Sequence, residues 1–330
     1  MPTDYKFPIS ECQVRDMTGL ESFRAKRSEW LRLLEGDPVH SVSSQLSAML
    51  WNDAAYRSFN EARRLASEND PKAAIAPILA EFLDIGYVAT QVLAVGKIIE
   101  FSPVDPKKSV ISLRRVLDDV IANRGLITRE HYVAYDGLPY APQAVMEAYH
   151  KKILSSKNAV VVEWRPTTGP EAWEMSERAH ETFDSLSGVL SSERTPDDLV
   201  SHDVYASMKD ALDDPVFADL RLLRHKIVAH AADESNRPDE LAHITLDKLA
   251  RAHKIISRVA HALSGTILYA GGAGGVPVPQ FDQFKYLDQR FVAPEHLNEL
   301  HEFWDRHTSE REAWLQDADT KVFSRKAGDA

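Results

Sequence analysis

The chain has 330 residues, of which 44% are hydrophobic, and a formal net charge of −11. This length and apolar content suffice for a buried core in one large or two ordinary domains. The acidic balance argues against indiscriminate binding to nucleic acid or anionic membranes, so any nucleic-acid contact must be local. Cys12 is the only cysteine, which excludes an internal disulfide and a Cys-x-x-Cys metal or redox motif.

The N-terminal residues do not resemble a secretory signal, because no basic region precedes an apolar run. No segment approaches the roughly 18 consecutive apolar residues that a membrane-spanning helix needs. We therefore expect a soluble, cytoplasmic protein that makes no use of a membrane.

Two helices are predicted in the first 70 residues. Thr18-Gly19-Leu20-Glu21 has the form of a capping box and predicts a helix over residues 18–34, which ends at Gly36-Asp37-Pro38. A second helix is predicted over residues 42–67 from apolar residues three and four positions apart: Ala48, Trp51, Ala55, Phe59 and Ala62. We expect its aromatic residues in the core rather than on a base-stacking surface.

A third helix is predicted from Pro71 to about residue 99. One helical face carries its apolar residues: Ile78, Phe82, Ile85, Ala89, Val92, Val95 and Ile99. Gly86 and Gly96 lie inside this helix, where glycine lowers helix propensity. We therefore expect a neighbouring helix to approach closely at both glycines.

The rest of the chain is predicted to be helical as well. Helical patterns cover residues 109–123, 141–156, 170–190, 199–212, 214–232, 244–269 and 294–314. Residues 159–164 are β-branched and favour one isolated strand, while the glycine-rich residues 270–277 lack the Lys-Ser/Thr pair of a phosphate-binding loop and favour a linker. We predict an all-α, multi-helix bundle with a C-terminal helical appendage. Its predicted divisions are residues 1–40, 41–268 and 269–330.

The helix predicted over residues 214–232 carries charge inside an apolar pattern. Asp213-Asp214-Pro215 predicts its first turn. At about 100° per residue its apolar side chains form one stripe, and Arg224 projects only about 40° from Leu220. Because burial of an unpaired guanidinium is costly, Arg224 must pair with a carboxylate, line a hydrated cleft or lie at an interface.

Two interpretations of Arg224 follow. In the structural one, Arg224 forms a salt bridge with an acidic residue of a neighbouring helix, for which Asp118 and Asp119 are available. In the functional one, Arg224 and His230 belong to a site where a cation binds phosphate and an imidazole transfers protons.

The stretch Arg224-His225-Lys226-Ile227-Val228-Ala229-His230 resembles the motif of the HEPN superfamily (higher eukaryotes and prokaryotes nucleotide-binding). That motif is an arginine and a histidine separated by four to six residues, and five separate them here. The flanking apolar residues and the earlier Ser112-Leu113-Arg114-Arg115 are similar to the abortive-infection U-type branch of bacterial proteins. The resemblance covers roughly residues 41–268.

The resemblance implies a helical bundle of HEPN type that acts in bacterial defence against phage. It implies a homodimer in which two motif helices form a composite, metal-independent endoribonuclease site. Arg224 would bind the scissile phosphate, His230 would act as general acid or base, and His225 would occupy the polar position after the arginine. Attack by a ribose 2′-hydroxyl needs such a proton acceptor and such a cation. On an α-helix, positions 224 and 230 diverge by about 120°, which favours a site shared between two chains.

Local charge supports an RNA contact near this motif. Eight lysines and arginines lie between Arg221 and His261, against five acidic residues. We take as RNA-contact candidates Lys226, Lys248, Arg251 and Lys254, although such rows are typical of solvated helix faces. The histidine spacings match no strong zinc pattern, and we predict neither metal nor cofactor.

The expected partners are a second copy of the chain, RNA, and a partner protein or antitoxin. The alternative function is a non-catalytic module that uses the same fold for dimerisation or partner binding, with Arg224 in a structural salt bridge.

Overall fold

A computed structural model describes most of the chain, namely residues 5–69, 76–101, 109–155, 166–228, 244–271, 277–278, 282–287, 289 and 292–316. Within these ranges the backbone forms helices and no β-strand, apart from a single bridge between Thr128 and Leu199. The prediction of an all-α fold is confirmed. The strand predicted over residues 159–164 lies outside the described residues.

Eleven α-helices occupy the described ranges: α1 (Met17–Leu31), α2 (Val42–Asn69), α3 (Pro77–Ile98), α4 (Leu113–Ala122), α5 (Arg129–Ala134), α6 (Pro142–Ser155), α7 (Trp173–Ser187), α8 (His202–Leu212), α9 (Pro215–Leu223), α10 (Leu246–His261) and α11 (Leu297–Gln316). Only α5 has no counterpart among the predicted helices. It is six residues long, too short to produce a periodic apolar pattern, and the side chain of Thr128 caps it by accepting the backbone N–H of His131.

Two helices begin at different caps from those predicted. The side chain of Asp16, not Thr18, accepts the backbone N–H of Gly19 and starts α1. Similarly, Ser112 rather than Ser109 accepts the N–H of Arg115 and starts α4. Both sites offer several side chains of the capping type, so the apolar pattern located the helix but not its first residue.

The chain divides into two compact units, Met1–Pro277 and Val278–Ala330. The first unit contains α1 to α10 around one buried apolar core. Helix α1 belongs to this core, because Leu20, Phe23 and Trp30 are almost fully buried in it, although residues 1–40 were predicted as a separate segment. The second unit contains α11.

A buried polar network joins α2, α3 and α10. The Nε2 of His253 lies 3.0 Å from the Oε1 of Gln91, and the amide nitrogen of Gln91 donates to the carbonyl oxygen of Met49 and to the side-chain oxygen of Asn52. Nearby, the hydroxyl of Tyr87 donates to Asp53. Because buried polar groups are costly unless they are hydrogen-bonded, this network fixes how the three helices pack.

The apolar face predicted for α2 is not the face that enters the core. Val42, Leu46 and Met49 are buried, whereas Ala48 and Trp51 of the predicted stripe are exposed. The expectation that Trp51 lies in the core is therefore wrong. A helix with small apolar residues on more than one face allows two choices, and packing against α3 decided between them.

Helix α3 is long and apolar enough, by length and composition, to cross a membrane, and no other helix in the described ranges is. It also makes polar contacts with α2, because Asp84 on α3 accepts hydrogen bonds from Tyr56 and Arg63, at 2.8 and 2.9 Å.

Candidate functional site

Helix α9 positions the charged stretch that the sequence singled out. The side chain of Asp214 accepts the backbone N–H of Val216, and Pro215 occupies the first turn, as predicted. The apolar stripe then buries Val216, Phe217 and Leu220 in the core. These contacts orient α9 and so determine where Arg224 lies.

The helix does not continue as a regular α-helix to residue 232. It ends at Leu223, and Arg224–Val228 form one π-helical turn. A π-turn holds more residues than an α-turn, so successive side chains diverge by less than 100°. Position 230 lies outside the described residues, so the angle of about 120° between positions 224 and 230 stays a prediction. Similar turns extend α1 and α10, so this turn alone does not mark a site.

Arg224 lies across α3 and pairs with a carboxylate at its end. Its Nη1 donates to the Oε2 of Glu100 at 3.1 Å, with 16% of the Arg224 side chain and 40% of the Glu100 side chain exposed. Gly96 makes room for this arrangement, since a Cβ at that position would lie 2.7 Å from Nη1 and 2.8 Å from Cδ of Arg224. The predicted close approach at Gly96 is confirmed, whereas the one predicted at Gly86 is wrong, because a Cβ there would meet nothing within 4 Å.

The predicted salt-bridge partners of Arg224, Asp118 and Asp119, are wrong. Asp119 instead accepts from Trp30 at 2.6 Å and from Lys26 at 3.1 Å. Burial raises the pKa of Asp118, while Lys209 and Arg114 act in the opposite direction. Helix α4 thus packs with its acidic residues away from Arg224, and the carboxylate comes from the residues that follow α3.

Arg224 also lines an open cleft of about 250 Å³ between the end of α3 and α9. The lining residues are Val95, Gly96, Ile99, Glu100, Phe101, Leu220, Arg221, Arg224 and His225. Phe101 is 51% exposed, and its ring lies 4.3 Å from the guanidinium carbon of Arg114 and 5.2 Å from that of Arg221. Two arginines and one histidine therefore face a single carboxylate among the lining residues, a composition that suits an anionic ligand.

Arg224 and His225 are brought together, since Nη2 of Arg224 lies 3.3 Å from Nε2 of His225. Lys226 follows them in the same turn and is partly buried. His230 lies outside the described residues, so the pairing of Arg224 with His230 stays a prediction.

Two of the other RNA-contact candidates are engaged within the fold. Lys248 pairs with Asp219 at 2.7 Å, and Arg251 pairs with Asp214 at 2.6 Å. Both bridges attach α10 to the first half of α9, away from the turn that carries Arg224. Lys254 lies exposed on α10.

Three residues of the cleft were not anticipated: Glu100, Phe101 and Arg221. Glu100 and Phe101 directly follow a predicted helix, and no local pattern connects them with residues more than 100 positions later. The one usable signal was the position of Gly96 inside α3, which correctly indicated a close approach.

Comparison with protein-family models, with curated proteins and with solved structures gave no significant match.

Proposed function

We propose that this chain is a cytoplasmic HEPN-type protein of bacterial defence against phage that cleaves RNA without a metal ion. In this proposal Arg224 binds the scissile phosphate and His230 acts as general acid or base. The observation that supports it is the cleft itself. Arg224 lies with Arg221 and His225 at a surface that a phosphate can reach, rather than sealed in the core.

The proposed chemistry uses the donors that Glu100 leaves available. A guanidinium has five N–H donors, and one hydrogen bond from Nη1 is directed at Glu100. Glu100 would hold the guanidinium in place while its remaining donors take the non-bridging oxygens of a phosphate. His230 would remove the proton of the ribose 2′-hydroxyl or protonate the leaving oxygen, and the arginine would stabilise the charge that develops on phosphorus.

The experiment that tests this function is RNA cleavage in EDTA by the wild type, His230→Ala and Arg224→Ala. Loss of a general acid or base costs about 10²–10⁴-fold in rate, so we expect His230→Ala to lose at least about 100-fold. Arg64→Ala is the matched control, because it removes an arginine outside the proposed site that is paired with Glu61 and Glu68 on α2. Equal cleavage by the wild type and His230→Ala, or no cleavage by either, would exclude the enzyme.

The shared site is tested by mixing the two inactive variants. If the site is composite, Arg224→Ala and His230→Ala together form some intact sites and recover part of the activity. No recovery from subunits that exchange would restrict the chemistry to a single chain.

A second candidate function is a non-catalytic module for dimerisation or partner binding. The Arg224–Glu100 ion pair favours this candidate, because one N–H of the guanidinium already binds a carboxylate and the Arg224 side chain packs closely against Gly96. The charge swap Arg224→Glu with Glu100→Arg separates the candidates. If the ion pair is only structural, the swapped pair should still form. The double variant should then keep most of its stability and bind RNA as the wild type does. Loss of RNA binding by a stably folded double variant would support the phosphate site.

A further inference from the structure

Helix α3 exposes an unusual amount of apolar surface between Ile78 and Leu93. Ile78, Phe82 and Ile85 are 64%, 70% and 62% exposed, and Leu79 and Leu93 are also exposed. At about 100° per residue these five side chains fall within one sector of about 120°. We call this set the α3 face.

An adjoining face of α3 is covered farther along the helix. Val92, Val95 and Ile99 are buried, and α9 with its π-turn packs against this end of α3. At about 100° per residue these three side chains lie about 40° to 100° from Ile78, outside the sector of the α3 face. Among the described residues, this covered face therefore has a partner within the chain, while the α3 face remains exposed.

Gly86 marks the middle of the α3 face. A Cβ added at Gly86 would meet nothing within 4 Å, whereas one added at Gly96 would meet Arg224. Glycine lowers the propensity for helix, and close approach of another helix explains its presence at Gly96. At Gly86 the described chain supplies no such neighbour, although the position lies among large exposed apolar side chains.

We propose that the α3 face packs against the α3 face of a second copy of this chain, around a two-fold axis that passes between Ile85 and Gly86. In an antiparallel pair centred there, Ile78 of one copy lies opposite Leu93 of the other. Phe82 lies opposite Ala89, so a large side chain meets a small one. The face is thus self-complementary, as a two-fold interface must be.

The area and the charges of the α3 face fit a second copy. With full side-chain areas near 200 Å², the five residues expose on the order of 500 Å² per copy and would bury about 1,000 Å² in a pair, the lower limit for a specific interface. The five side chains carry no charge, so the pair places no like charges opposite each other. Glu81 and Asp84 project to one side, and Asp84 is bonded to α2, which disfavours insertion of α3 into a lipid bilayer.

This interface differs from the composite site described above. Gly86 and Gly96 are ten residues apart, or about 15 Å along the helix, so the two Arg224 clefts of such a pair would be up to about 30 Å apart. The α3 pairing therefore does not depend on RNA cleavage, and either proposal can fail without the other.

Sedimentation velocity of the full chain between about 1 and 100 μM tests the pairing. We expect a dimer for the wild type and at least about 100-fold weaker association for Phe82→Glu and for Gly86→Leu. The protomer has open space at Gly86, so Gly86→Leu should fold normally, which far-ultraviolet circular dichroism would verify. Leu190→Glu, which changes a residue 66% exposed outside the face, should dimerise as the wild type does.

Cross-linking gives an independent measurement of the axis. In a Cys12→Ser background, Gly86→Cys should form an intermolecular disulfide on mild oxidation, and Leu190→Cys should not. A wild type that stays monomeric at 100 μM overturns the proposal, as does an assembly whose size and affinity Phe82→Glu leaves unchanged. A monomer that sediments with phosphatidylcholine vesicles through Phe82 would also overturn it and assign the face to lipid.

Discussion

Two histidines are buried, and each has a ring nitrogen within hydrogen-bond distance of a carbonyl oxygen. His253 directs Nε2 toward the carbonyl oxygen of Gln91, and His180 directs Nε2 toward the backbone carbonyl of Tyr140 at 2.9 Å. Burial lowers the pKa of both histidines. Asp53, 3.9 Å from Nδ1 of His253, opposes this effect without reversing it. Both histidines therefore fold as neutral groups.

This arrangement predicts that the protein loses stability in mild acid. The pKa of each buried histidine is below its unfolded value of about 6.5, so below that pH the unfolded chain binds more protons and the free energy of unfolding falls. Urea unfolding at pH 7.5 and pH 5.0 measures the loss. We expect His253→Gln to show a smaller loss between these pH values than the wild type.

The exposed His202 provides the control for this experiment. His202→Gln should keep the pH dependence of the wild type. If His253→Gln did so as well, protonation of His253 would not contribute to the acid sensitivity.

At the scale of elements, the two ends of α3 have different environments. Helix α9 packs against its C-terminal end, while the most exposed apolar side chains, Ile78, Phe82 and Ile85, lie toward its N-terminal end. Its two glycines follow this division, because Gly96 lies under Arg224 and Gly86 lies in open space. The same substitution at the two positions should therefore have opposite effects.

We predict that Gly86→Ala raises the free energy of unfolding of the monomer by about 0.5–1 kcal/mol, since alanine is the better helix former. Gly96→Ala gains the same propensity but forces Arg224 away from α3 and from Glu100. We therefore expect the free energy of unfolding of Gly96→Ala to be at least about 1 kcal/mol lower than that of Gly86→Ala. Urea unfolding at a protein concentration too low for association measures both. Equal effects would mean that Arg224 is not held against Gly96.

For the whole molecule, charge limits how RNA can bind. The chain carries a net charge of −11, and several of its basic residues are committed to ion pairs within the fold. Arg129, for example, is fully buried between Asp184 and Asp198 at 2.7 Å from each. An RNA strand would therefore contact a small basic area around Arg221 and Arg224 rather than a long basic surface.

This predicts a shallow salt dependence of RNA binding. With two phosphates neutralised on a single strand, the logarithm of affinity falls with the logarithm of salt at a slope of about −1.4. The dissociation constant should then rise about sevenfold between 50 and 200 mM salt, which fluorescence anisotropy with a labelled single-stranded RNA can measure. A slope steeper than about −3 would indicate a wider basic surface that includes residues outside the cleft.

The candidate site was only partly predictable from the sequence. The expectation that Arg224 pairs with a carboxylate or lines a cleft is confirmed, because a cation inside an apolar helical stripe needs such an environment. Its role in a functional site stays a prediction. Glu100, its partner, is 124 residues away, and no local pattern connects the two. The acidic residues of α4 were equally plausible partners until the packing of α4 turned them toward Trp30, Lys26 and Lys209.

The sequence by itself determined the all-α class and the approximate positions of the helices, because apolar spacing, proline and capping residues act over a few neighbouring residues. Only the tertiary structure decided which helix faces are buried, which carboxylate meets Arg224, and that one apolar face of α3 stays exposed. These outcomes depend on how helices distant in sequence pack against one another, and a local pattern contains no information about a helix's neighbour.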